Sequence, residues 1–140
     1  LEPSRAARMI AASARNPDLP GFDELTDELL QATWLGPRGD GIDGEIRRAV
    51  NILALERLMM LAVDAAAEPQ ARAIALDAIN RLDEWLAPRT ASESDPAWRA
   101  HYGYGRFRIE QLRRDPASVD QIERVTVPPG EPIGSSLDWF

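Results

Sequence analysis

His101, the only histidine of the 140-residue chain, is the first residue to consider for acid–base or metal chemistry. An imidazole can act as a general base or as a single metal ligand. The chain has no cysteine and no second histidine, so thiolate sites, disulfides and the HExxH zinc helix are excluded. We predict a structural or surface role for His101, and no catalytic, cofactor-binding or metal-ligating residue in this chain.

Four clustered carboxylates are the second candidate for acid–base chemistry. Asp23, Glu24, Asp27 and Glu28 lie within six consecutive positions. A carboxylate pair works as acid and base only when its surroundings separate the two pKa values, which requires a desolvated cleft. These residues occupy the first turns of a predicted helix, where the helix dipole favours negative charge and solvent has access. We predict that they serve the helix.

The glycine-rich segment 36–44 (GPRGDGIDG) matches three short motifs. Residues 39–44 read GxGxxG, but a dinucleotide site needs a preceding strand, and here a helix precedes and two aspartates would repel phosphate. Asp40, Asp43 and Glu45 lack the spacing of an EF-hand calcium loop. The Arg-Gly-Asp tripeptide of integrin ligands arises easily in such a loop. We interpret the segment as a flexible loop and Asp43 as the next helix's N-cap.

Arginines form the only basic concentration of an acidic chain, which has 23 acidic and 16 basic residues and a net charge of −7. Arg99, Arg106 and Arg113 recur every seven residues, with Arg108 and Arg114 nearby. We predict that the three recurring arginines could face the acidic second helix or an acidic neighbouring domain, with a solvated face as the alternative. The net charge argues against a nucleic-acid partner.

The last residues form a second possible interaction site. Leu137, Trp139 and Phe140 place three large apolar side chains at a terminus, where fraying is usual. They could pack on their own domain, on a neighbouring molecule or on the missing part of a longer parent. The chain starts Leu1-Glu2 without a signal segment, so we expect an excised fragment or a processed product.

The elements that position these residues are predicted to be about five helices, because apolar residues recur at helical spacing. The predicted helices cover 3–15, about 23–34, 43 to about 67, 69 to the residue before Pro88, and a segment opened by Asp95-Pro96. Within the third helix, residues 51–63 are apolar on nearly every face except at Asn51 and Glu56-Arg57, which predicts a central, largely buried helix, and close packing is expected at Gly103 and Gly105. The four tryptophans are expected to serve the core.

These elements predict an all-α fold in two parts. A helical domain spans 1–124, with its helices packed as consecutive antiparallel hairpins, and one more turn is possible over 118–124. A Pro/Gly-rich tail over 125–140 is expected to be extended. No segment reaches the roughly 20 uninterrupted apolar residues that a membrane-spanning helix needs, so no membrane span is predicted.

Taken in order, several segments resemble the C-terminal helical region of large bacterial zinc-dependent metalloproteases of the HExxHxxGxxH type. The similar pieces are LEPSRAARM at 1–9, the helix from EL at 24–25 to TW at 33–34, LERL at 55–58, RAIA at 72–75 leading to WL at 85–86, HY at 101–102 and VPPGEPIG at 127–134. The resemblance implies a catalytic zinc bound upstream of Leu1 and a secreted or cell-envelope parent. Residues 135–140 extend past the usual ending.

Three functions are compatible with these observations. The first is a non-catalytic accessory domain that supports or flanks the catalytic domain of its own parent chain. Separated from that neighbour, it would expose an apolar face and could form a homodimer. The second is a free-standing helical interaction module with a docking peptide at 137–140. The third, and weakest, is an enzyme that uses carboxylates and His101.

Overall fold

The computed structural model describes residues 22–119, and within this range every regular element is an α-helix. The helices are α1 (Phe22–Ala32), α2 (Gly41–Val63), α3 (Pro69–Ser92) and α4 (Pro96–Arg114), followed by one helical turn at 117–119. The predicted all-α class is therefore confirmed for this part of the chain. The predicted helix over 3–15, the tail over 125–140 and most of the turn over 118–124 lie outside the described residues.

Local capping explains why the starts of α3 and α4 and the end of α1 lie near their predicted positions. Asp95 is the N-cap of α4, and its carboxylate accepts hydrogen bonds from the backbone N–H groups of Ala97 (2.9 Å) and Trp98 (3.4 Å). Pro69 is at the start of α3, where a missing N–H costs no helical hydrogen bond. After α1, the Thr33 hydroxyl donates to the carbonyl of Leu29 at 2.7 Å, so that carbonyl keeps a partner.

The start of α2 differs from the prediction by two residues, while residues 36–40 before it have no regular secondary structure, as predicted for a loop. α2 begins at Gly41, and its N-cap is Asp40 rather than Asp43. Gly41 has a φ of 57°, a left-handed conformation that favours glycine. A Cβ on Gly44 would lie 2.5 Å from the carbonyl oxygen of Gly39. The segment before α2 is therefore folded back against the first turn of the helix.

The interior of α3 also differs from the prediction, because the helix continues through Pro88 instead of ending before it. A proline inside a helix removes one backbone hydrogen bond and crowds the preceding turn. Nearby side chains supply hydrogen bonds to carbonyls at this point. The Arg89 guanidinium donates to the carbonyl of Trp85 (2.8 Å), and the Thr90 hydroxyl donates to that of Leu86 (2.9 Å). Neither bond replaces the one lost at the carbonyl of Glu84, so packing of α3 against its neighbours must offset the break.

The central helix is α3 rather than α2, since α3 packs against each of the other three described helices. Its inner face is fully buried and consists of Ala75, Ala78, Ile79, Leu82 and Leu86. α2 ends at Val63, short of the predicted position near 67, and two large apolar side chains of its first half are exposed. The burial predicted for residues 51–63 is found, since none of them is exposed, but the helix that contacts each of the other described helices is α3.

The helix order gives two consecutive hairpins, as predicted. α2 packs on α3 and α3 packs on α4, through connections at 64–68 and 93–95 that are too short for anything but a reversal. α1 packs against α3, and the segment after its last turn brings Trp34 into the core. None of the helices in the range 22–119 combines the length and apolarity needed to cross a membrane.

Candidate functional site

His101 lies in the first half of α4 and is buried, with 5% of its surface exposed. Its ring stacks on Trp34 with a centroid distance of 4.3 Å and an interplanar angle of 7°. Trp98 meets the same ring edge-on, at 5.5 Å and 88°. We call Trp34, Asn51, Trp98 and His101 the His101 cluster. It forms where the end of α1, the middle of α2 and the start of α4 meet.

Asn51 of α2 joins two rings of the His101 cluster by hydrogen bonds. Its side-chain Nδ2 lies 3.1 Å from Nε2 of His101, and its backbone carbonyl accepts a 2.7 Å hydrogen bond from Nε1 of Trp34. An amide nitrogen can only donate, so Nε2 of His101 is the acceptor and the ring proton is on Nδ1. This arrangement requires a neutral imidazole, because a protonated ring has no acceptor.

The electrostatic surroundings favour the same neutral state. Burial lowers the pKa of His101 from 6.5 to about 4, and the positive charge of Arg48 acts in the same direction. A general base is most effective when its pKa is near the working pH. His101 at neutral pH is a weak base that is enclosed by aromatic rings. Its placement fits the structural role predicted from the sequence.

Two arginines cover the outer side of the His101 cluster. The guanidinium carbons of Arg38 and Arg48 each lie 5.1 Å from the centroid of the Trp98 ring, which is the range of a cation–π contact. Arg38 also forms an ion pair with Glu93. Each partner stabilises the charge of the other, so the pKa of Arg38 is raised and that of Glu93 is lowered. The pair ties the segment before α2 to the α3–α4 connection.

The arginines predicted as an interaction surface are engaged within the domain in two of three cases. Arg106 Nε lies 3.3 Å from Oδ1 of Asp83, and Arg113 Nη1 lies 2.9 Å from Oδ2 of the same carboxylate. Arg113 also donates to Oδ1 of Asn80 at 2.8 Å. Both arginines therefore hold α4 on α3. These two arginines therefore do not pair with the acidic helix α1, which was one of the alternatives predicted; they meet an α3 carboxylate and stay partly exposed to solvent.

The other predicted residues are placed as follows. Arg99 is exposed in the first turns of α4, while Leu137, Trp139 and Phe140 lie outside the described residues, and their interaction roles stay predictions. The acidic residues of α1 are exposed, and the carboxylate of Asp27 lies 3.3 Å from Nη1 of Arg81 on α3. Within residues 22–119, no three His, Asp or Glu side chains are grouped as metal ligands would be.

The close packing predicted at the two glycines of α4 is found at one of them. A Cβ on Gly105 would lie 2.8 Å from Cη2 of Trp34 and 3.2 Å from Cδ1 of Leu86. A Cβ on Gly103 would meet only the Thr90 methyl group, at 3.9 Å. Gly105 therefore creates the space that the Trp34 ring occupies.

Sequence reasoning missed the partner of His101. Asn51 interrupts a long apolar run of α2, and this was the available signal, because a buried amide needs a hydrogen-bond partner. A single histidine on an apolar helix face also needs a hydrogen-bond partner, so Asn51 and His101 could have been predicted to bond to each other. Comparisons of the chain with protein-family models, curated proteins and solved structures found no match. The geometry of the described residues is that of a packed helical domain.

Proposed function

We propose that the chain is a non-catalytic helical accessory domain of a bacterial zinc-dependent metalloprotease, and that it supports or flanks the catalytic domain of its own parent. The resemblance over residues 1–134 supports the link to this class of protease. In this proposal the zinc is bound upstream of Leu1, and the parent is secreted or belongs to the cell envelope. The partner of the domain is then the catalytic part of the same chain.

The observation that carries the non-catalytic part of the proposal is the state of His101. Its Nε2 accepts a hydrogen bond from Asn51, its face is covered by Trp34, and burial lowers its pKa to about 4. A side chain fixed in this way supports the junction of three helices. The Asp83 carboxylate is likewise committed, since it holds Arg106 and Arg113.

The protease link is tested first by sequencing the coding region upstream of Leu1. An in-frame HExxHxxGxxH motif would support the proposal, and later experiments should then use the longer chain. A start codon or an unrelated domain would refute it and would favour an interaction module.

The accessory role is tested by enzyme kinetics on that longer chain. We expect His101→Gln to lower the melting temperature while kcat for peptide hydrolysis stays at the wild-type value at temperatures where the domain is folded. A catalytic role would lower kcat even at temperatures where circular dichroism shows that the variant is folded. Asp77→Asn serves as the control, because Asp77 is exposed and its ion pair is within α3.

A second candidate, a helical interaction module, is favoured by the apolar side chains exposed on α2. Ile42 and Ile46 are 74% and 50% exposed. In this alternative the terminal residues Leu137, Trp139 and Phe140 act as a docking peptide. Deleting residues 135–140 distinguishes the two candidates, because a docking module would lose its partner whereas an accessory domain would keep its stability and its contact with the parent.

A further inference from the structure

The hydrogen bond at the centre of the His101 cluster exists in only one protonation state of the ring. Nε2 of His101 accepts it from the Asn51 amide at 3.1 Å, so the bond is lost when Nε2 takes up a proton. Protonation would leave two donors facing each other in a buried site, which costs the desolvation of both groups. Asn51 also holds Trp34 through its backbone carbonyl, so the ring stack and the titrating nitrogen depend on the same residue.

Positive charges already lie around the ring. Burial and the nearby guanidinium of Arg48 both lower the pKa of His101. Arg38 and Arg48 each lie 5.1 Å from the centroid of the Trp98 ring, which meets His101 edge-on. A proton on His101 therefore adds a positive charge beside these two arginines in a cluster that excludes most water. The protonated ring is favoured only where water can reach it.

The part of the cluster that can move to admit water is the segment between α1 and α2. We call residues 33–40 the α1–α2 connection; it carries Trp34 against the His101 ring and Arg38 over the Trp98 ring. Its backbone is turn, bend or irregular, whereas His101 lies within a 19-residue helix. The backbone hydrogen bonds of the connection are to α1, to itself and to the start of α2, so its displacement leaves those within α3 and α4 intact.

We propose that the α1–α2 connection is an acid-opened gate. When His101 takes up a proton, Trp34 leaves the ring stack and the connection moves away from α4, while α2, α3 and α4 stay packed on one another. The space released is the one that Gly105 provides, since a Cβ there would lie 2.8 Å from the Trp34 ring. This gate is separate from the proposed function, because every contact that closes it lies within the domain.

An ion pair closes the α1–α2 connection at neutral pH. Arg38 pairs with Glu93 of the α3–α4 connection, and the Tyr102 phenol also favours the charged guanidinium. Arg38 and a hydrogen bond from the backbone N–H of Asp95 lower the pKa of Glu93, although the charge of Asp95 opposes this. Glu93 therefore stays charged at pH 5, where the ring of His101 in the open form is already protonated. Acid acts first through His101, and protonation of Glu93 at lower pH then removes the ion pair that restrains the opening.

Native-state hydrogen–deuterium exchange of the 140-residue chain at pH 7 and pH 5 tests the gate, with each rate corrected for the chemical exchange rate at that pH. The pKa of His101 is about 4 in the closed form and near 6.5 in the open form, so opening should become about 20-fold more favourable over this range. The amides of Thr33, Leu35 and Gly36, which are hydrogen-bonded in the closed connection, should exchange about 20-fold faster at pH 5. Low urea should leave their rates unchanged, because a local opening exposes little surface, whereas it should speed exchange in the middle of α3.

Matched variants identify the titrating group and the ion pair. His101→Gln keeps an acceptor for Asn51 but cannot take up the proton, so exchange in its α1–α2 connection should not rise at pH 5. Glu93→Gln should exchange there up to about 5-fold faster than wild type at both pH values, while the control Glu110→Gln, whose ion pairs lie within α4, should match wild type. Circular dichroism checks that each variant is folded. An equal rise at pH 5 in wild type and His101→Gln, a urea dependence in the connection equal to that of α3, or a Glu93→Gln variant that exchanges no faster than Glu110→Gln would overturn the inference.

Discussion

Replacing Gly105 with alanine tests the packing of the domain at its tightest point. The new methyl group would lie 2.8 Å and 3.1 Å from two ring carbons of Trp34, well inside contact distance. The ring cannot move aside cheaply, because its Nε1 donates to the Asn51 carbonyl at 2.7 Å and its face stacks on His101. The methyl group must therefore displace the ring or the helix.

The expected cost follows from two opposing effects. Alanine is favoured over glycine inside a helix by about 1 kcal/mol. Forcing one extra carbon into a filled core costs about 1–3 kcal/mol. Gly105→Ala should therefore leave the free energy of unfolding unchanged or lower it by up to about 2 kcal/mol. Gly103→Ala, with 3.9 Å to its nearest neighbour, should raise it by up to about 1 kcal/mol.

Urea denaturation followed by circular dichroism measures both variants. The difference between them, about 1–3 kcal/mol, isolates the steric term, because both sites are glycines of the same helix. In a Trp34→Phe background the outer ring carbons are gone, so the cost of Gly105→Ala should fall. Equal effects at the two glycines, or an unchanged cost in the Trp34→Phe background, would refute the reasoning.

Two further predictions concern the charged and titrating groups. The pKa of His101 is about 4 in the folded state and near 6.5 in the unfolded state, so the unfolded chain takes up a proton first as the pH falls. Between pH 7 and pH 5, wild type should therefore lose about 2 kcal/mol of stability that the His101→Gln variant does not lose. Equal losses of stability in the two proteins, measured by urea denaturation at each pH, would contradict this. Asp83→Asn removes the acceptor of Arg106 and Arg113 and should cost about 0.5–1 kcal/mol, less in 1 M salt. The control Asp77→Asn should lower the free energy of unfolding by less. If both variants lost the same stability, and salt did not change that loss, the ion pairs of the Asp83 carboxylate would contribute nothing to stability.

The parts of the fold that could be predicted are those fixed by neighbouring residues. Asp95 and Pro96 define the start of α4 through the local geometry of a cap, and Pro69 does so for α3. Pro88 misled the prediction, because the cost of a proline is local whereas the packing that offsets it involves other helices. The predicted start of α2 was two residues too late for a similar reason, since the backbone at Gly44 lies close to the carbonyl of Gly39, five positions earlier.

In the candidate site, too, features set by composition could be predicted, whereas contacts between distant segments could not. The count of histidines and cysteines favoured a structural or surface role for His101, because it removed the common metal and nucleophile chemistries, but it could not distinguish a buried ring from an exposed one. Its contacts could not be predicted in detail, since Asn51 is 50 positions away in sequence and Trp34 belongs to a different helix end. Likewise, the sequence shows that arginines recur every seven residues, but it does not show that Asp83 of α3 is the carboxylate shared by Arg106 and Arg113, because that depends on how the helices pack.

The sequential packing of the hairpins has a consequence for how fast the domain folds. Contacts between α2 and α3, and between α3 and α4, close short loops, and proteins dominated by such contacts fold in microseconds to milliseconds. The His101 cluster is different, because it joins segments that are distant along the chain and can form only after α1, α2 and α4 have come together. Formation of the ring stack therefore belongs to the last step of folding, and its disruption to the first step of unfolding.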